Sequence, residues 1–143
     1  MTSPLPEDIR SRLESISAHK QRINEIGKRL TEIIQHTEEH LLANGVHLPN
    51  HAFDPDVDKD IAIAWMKINP GEWRLMVCFA GEGAEYGEPL TWAKRRAVKA
   101  SISEKAVVLS LLPRLLDSIG AEVTKTRERF DSVVEDWDLK GGV

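Results

Sequence analysis

IAIAWMKINPGEWRLMVCFA, residues 61–80, reads as a β-hairpin on which the rest of the chain is arranged. Two strand-like runs, Ile61 to Ile68 and Trp73 to Ala80, flank Asn69-Pro70-Gly71-Glu72. Pro-Gly suits the centre of a type II turn: proline presets the first φ, and glycine accepts the positive φ of the second position. Both runs are apolar on both pleat faces. The sheet is therefore expected to be covered on both sides, or on one side with a partner on the other. A plain two-residue loop would set Lys67 opposite Arg74, a like-charge pair that a one-residue bulge would relieve, so the register stays open.

Downstream, Leu90 to Arg95 reads as a third strand, with a short helix as the alternative. Between it and the hairpin, residues 81–87 form an acidic glycine-rich connector. Lys94, Arg95, Arg96 and Lys99, with Trp92 beside them, form the only basic cluster. Such a set can contact phosphates, with the indole as a stacking platform. The four cations can equally pair with the carboxylates of residues 54–60, within the chain or across a dimer.

Long helical patterns lie on either side of this sheet. Upstream, residues 7–44 carry Ile9, Leu13, Ile16, Ile23, Leu30, Ile34 and Leu41 in alternating steps of four and three, a heptad stripe widened by Ile26 and Ile33. Ser3 offers a cap, Glu7 and Asp8 complement the helix dipole, and Asn44-Gly45 supplies the stop. Gly27 on the stripe either admits a close neighbour or is a weak spot costing about 1 kcal/mol against alanine. Downstream, Ser101-Ile102-Ser103-Glu104 is a capping box opening a helix over residues 102–138. Val107, Val108, Leu109, Leu111, Leu112, Leu115 and Leu116 make its first half apolar nearly all round, so that half is expected to pack on the sheet and the first helix. Phe130, Val133 and Trp137 mark a narrow seam on a charged second half expected to project. Pro113 lacks the amide that would reach Leu109, so a kink or break is expected there. Each helix spans about 55 Å at 1.5 Å per residue. The expected fold is α+β: one domain over residues 1–143, with two long antiparallel helices flanking an antiparallel hairpin or three-stranded meander (residues 61–98).

Four of the five histidines, His36, His40, His47 and His51, fall close together. His36-Thr37-Glu38-Glu39-His40 resembles the H-x-x-E-H motif of inverted zinc peptidases, over those five residues only. The resemblance implies zinc on His36 and His40, one helical turn apart, with Glu39 activating a water. No third-ligand segment follows. Asp54, Asp56, Asp58 and Asp60 alternate as in a calcium loop. However, Lys59 and Trp65 stand where an EF-hand needs its glycine and its bidentate glutamate, so a solvated linker is the better reading.

The bulk composition excludes more than it assigns. With 143 residues, 41% apolar and 29% charged, the chain can bury a core without staples. A net charge of −4 points to neither nucleic acid nor membrane as partner of the whole molecule. Cys78, the single cysteine, sits in the most apolar strand and is expected to be a buried, inert thiol. Met1-Thr2-Ser3-Pro4 has no basic start and no apolar run after it, and no window approaches a transmembrane span, so a soluble cytoplasmic protein is expected. No nucleophile–base pair, phosphate loop, cofactor motif or complete metal set is visible. The reading is a non-enzymatic interaction or scaffold protein that forms a homodimer or higher oligomer and recognises another protein. Ile9, Leu13, Ile16, Ile23, Leu30, Phe130, Val133 and Trp137 would be its contact residues. A metal-dependent hydrolase using His36, Glu39 and His40, and a nucleic-acid accessory protein using residues 94–99, are the alternatives.

Overall fold

The computed structural model describes residues 4–80 and 92–141. Helix α1 spans Glu7–Ala43 and helix α2 spans Ile102–Gly141. Between them lie four strands, β1 (Asn50–Ala52), β2 (Ile61–Asn69), β3 (Glu72–Phe79) and β4 (Ala93–Arg96). These form one antiparallel sheet in sequential order. The α+β class is as read from the sequence, but the sheet has four strands rather than two or three. The extra strand, β1, pairs along Ile63–Trp65 of β2. Ser3 and the 81–91 segment, including the expected start of the third strand at Leu90, lie outside the described residues.

The local signals set the element ends. At the hairpin, Gly71 takes φ +79°. An irregularity between Lys67 and Asn69 sets Met66 opposite Arg74 and Lys67 opposite Trp73, which separates the two cations. Helix α1 ends in a Schellman turn: Gly45 has φ +63°, its amide donates to the Leu42 carbonyl (3.0 Å), and Val46 donates to Leu41 (3.0 Å). At the start of α2, Ser101 N donates to Glu104 Oε1 (2.7 Å) and Glu104 N to Ser101 Oγ (3.2 Å), closing the capping box. The helix passes Pro113 without a break. Pro113 is exposed, while Leu111, Leu112 and Leu115 are anchored in the core on either side of it.

Alternation along the strands divides the interior. Ile63, Trp65, Trp73, Leu75 and Val77 face the helices and pack with Ile34, Leu41, Val108, Leu111, Leu112, Leu115 and Ile119. Ala62, Ala64 and Cys78 face the other way, beneath Trp92 and Phe53, whose rings meet edge to face at 5.5 Å.

The helices do not run antiparallel. A Cβ built on Gly27 of α1 would lie 2.9 Å from Ile102, the first residue of α2, whereas residues 44–48 after α1 share a cavity with Val123–Phe130 of α2. Both helices therefore travel the same way across one face of the sheet. The cause is topological. In a sequential meander the chain must arrive at the β1 edge and leave from the β4 edge. A helix lying across the strands can do the first only by coming from the β4 side, and the second only by heading toward the β1 side. Accordingly, Glu38 of α1 bonds to β3 and β4, and Val46 farther on accepts from the Trp65 indole of β2 at 2.9 Å. The N-terminal half of α1 then overhangs beyond the β4 edge, and the C-terminal part of α2 beyond the β1 edge.

Candidate interaction surface

On the α1 overhang every residue from 7 to 26 is exposed. The heptad stripe stands in the open: Ile9, Leu13, Ile16, Ile23 and Ile26 are 40–63% accessible. Leu30 differs, being half-buried where the start of α2 comes alongside. On the other overhang Phe130 (62%), Val133 (49%), Val134 (57%) and Trp137 (71%) are exposed. Burying one such side chain is favourable by about 1.5–3 kcal/mol, so each uncovered seam is a large unused contact energy. Seven of the eight residues read as contact residues are thus placed on free helix faces, in two groups at opposite ends of the molecule.

At the fork where α1 ends and α2 continues lies a cavity of about 440 Å³. Val46, Leu48, Val123 and Phe130 line it, with His47 and Arg127 at its margin. His47 is held by stacking on Trp73 (ring centroids 5.5 Å apart, 13° between planes), which in turn stacks on Trp65. The cavity runs into the Phe130 seam, because Phe130 belongs to both. The Schellman turn could have flagged this hollow: it turns the chain sharply away from α2 and leaves the longer helix without a neighbour.

The basic cluster is largely engaged within the chain. Arg96 Nη2 bonds Glu38 Oε1 at 3.1 Å, and Arg74 Nε lies 3.9 Å from the same oxygen. Arg95 reaches Glu104 (3.3 Å) and lies over the Phe79 ring at 4.9 Å. Lys94 donates to the Trp92 carbonyl at 2.9 Å, and Lys99 is exposed. The anions that meet these arginines are Glu38 and Glu104. The acidic loop is held instead by Arg114 of α2, 2.8 Å from Asp54.

Sequence reasoning did not single out Glu38, the one buried charged residue among those described. Strand β4 stops opposite Met76, so the Leu75 amide of β3 meets no strand, and Glu38 Oε2 accepts from it at 2.9 Å. The carboxylate ends the β4 edge of β3 as a further strand would. The signal was available: position 38 lies on the buried stripe between Ile34 and Leu41.

His36 and His40 stand on the exposed outer face of α1, with His36 Nδ1 3.7 Å from Glu39. Among the described residues no group of three or more histidine, cysteine or carboxylate side chains is placed to hold a metal ion. Burial raises the Cys78 thiol pKa, partly offset by the charge of Lys94. No helix among the described residues is long and apolar enough to cross a membrane. Comparison with family models, curated proteins and solved structures finds no match to this chain.

Proposed function

We propose that the chain is a non-enzymatic, cytoplasmic protein–protein interaction module that self-associates through its overhanging helices and docks another protein on the remaining apolar surface. One observation carries this reading: two heptad-spaced apolar seams, Ile9 to Ile26 and Phe130 to Trp137, lie uncovered on helix segments that contribute little to the core. A scaffold role fits the geometry, since the seams lie on overhangs at opposite edges of the sheet and can engage two neighbours at once. The basic cluster and the histidine pair support no rival of equal weight, because most of the cations are engaged internally and the histidines have no third ligand among the described residues.

Light scattering coupled to gel filtration tests the reading. At about 100 µM, where a dimer of micromolar affinity is populated, the mass should be at least twice the 16.1 kDa of one chain. Phe130→Lys should lower it without loss of helix, since that position is outside the core. A wild-type protein that stays monomeric at that concentration refutes self-association.

A further inference from the structure

Resting on that reading, we infer that self-association is an antiparallel, two-fold pairing of the α2 overhangs, centred between Ser132 and Val133. The charges of the overhang are segregated along the chain. Lys125, Arg127 and Arg129 come first, with Glu128 among them, and Asp131, Glu135, Asp136 and Asp138 follow, ahead of Lys140. At 100° per residue, Arg127 and Asp138 flank one side of the Phe130–Trp137 seam, and Arg129 and Asp136 flank the other. Glu128 points to the opposite face. Arg127 and Asp138 are equally distant from the proposed centre, and so are Arg129 and Asp136.

Laid antiparallel about that point, each arginine meets the aspartate of the second copy on its own side, giving four cross pairs. A parallel two-fold pairing brings opposite flanks together, which sets Arg127 beside Arg129 and Asp136 beside Asp138 of the second copy and opposes the contact. Among the described residues Arg129, Asp136 and Asp138 have no ion-pair partner, and Arg127 has only an exposed contact to Asp131 at 3.8 Å. That contact also tempers Asp131, the acid nearest the two-fold. In the same register the partner's Trp137 falls beside Val123–Phe130, where the cavity of about 440 Å³ opens between α2 and Leu48. Charge spacing and cavity position thus identify the same occupant: a second copy, reversed. The overhang of α1 mixes its charges along its length and has no such symmetry.

Charge exchange followed by sedimentation decides the matter. Arg127→Asp with Arg129→Asp turns four attractive pairs repulsive and should weaken the dimer about 15-fold or more at low salt, each exposed pair passing from roughly 0.2–1 kcal/mol of attraction to as much repulsion. Adding Asp136→Arg and Asp138→Arg restores every pair and should return affinity to within about threefold of wild type. A double variant that dimerises like wild type, or a quadruple variant as weak as the double, overturns the pairing. So does a short bis-maleimide that joins Arg127→Cys chains to one another, rather than joining Arg127→Cys to Asp138→Cys chains in a mixture. Cys78 is buried and does not compete. A wild-type dimer indifferent to the double variant sinks this arrangement alone, whereas a monomeric wild type sinks self-association with it.

Discussion

Replacing Glu38 with alanine should cost about 3 kcal/mol of folding stability. The largest part comes from the Leu75 amide, which loses its 2.9 Å acceptor at a point where β4 has already ended. A buried donor left without a partner costs about 1–3 kcal/mol. The second part is electrostatic. Breaking a fully buried ion pair costs about 3–5 kcal/mol, but the Arg96 side chain is 36% exposed, so water screens most of that and about 1 kcal/mol remains. Arg74, a quarter exposed and 3.9 Å away, adds little.

Urea denaturation measures the sum. With a slope of about 2 kcal/mol per molar, the midpoint should fall by roughly 1.5 M at unchanged slope. Glu38→Gln is the diagnostic companion. Its amide oxygen can still accept from Leu75, so only the charge is lost, and the midpoint should fall by about a third as much. A midpoint for Glu38→Ala within about 0.2 M of wild type would show that the edge of β3 needs no carboxylate. Equal losses for both variants would show that charge, not the amide bond, dominates.

Other expectations are smaller. Gly120 is exposed within α2 with nothing within 4 Å of an added Cβ, so Gly120→Ala should stabilise by about 0.5–1 kcal/mol, read as a higher melting temperature. Ser101→Ala removes the hydroxyl that accepts from Glu104 N at 3.2 Å and should cost about 1 kcal/mol in the same assay. The raised pKa of Cys78 means that the unfolded thiol ionises at lower pH than the folded one. Its contribution is therefore complete below about pH 8.5 and declines as pH rises toward the folded pKa. Chemical denaturation at stepped pH should show that alkaline decline in wild type and a flatter profile in Cys78→Ala.

The parts of the fold legible from sequence were those written in local chemistry. The Pro70-Gly71 turn, the Asn44-Gly45 stop and the Ser101–Glu104 box each depend on a few adjacent residues, and each places an element end. Strand β1 was not legible, because Asn50-His51-Ala52 is too short to show alternation. Its pairing comes from the free edge of β2, a distant partner. Helix direction was invisible for another reason: a stripe of apolar residues in steps of three and four reads the same from either end. Only the sequential order of four strands, with the helices laid across them, fixes the direction. The candidate surface was legible as a stripe, but the register at which α1 leaves the core was not, so Leu30 was grouped with the free residues although it is half-buried.

Helix length connects this architecture to its proposed role. Four strands at about 4.8 Å spacing make a sheet roughly 15–20 Å across, which some twelve residues of helix can cross. Helices α1 and α2 have 37 and 40 residues. Much of each is therefore not needed to cover the sheet, and in proteins most helical stability comes from packing of an apolar face rather than from propensity. The overhangs carry β-branched and aromatic residues of modest helix propensity on their seams, so propensity alone holds them weakly. Contacts along those seams would supply what the core does not. Because the two overhangs leave from opposite edges of the sheet, covering one leaves the other open. A self-paired α2 tail would thus yield a dimer presenting two free α1 seams, Ile9 to Ile26, to whatever protein it holds together.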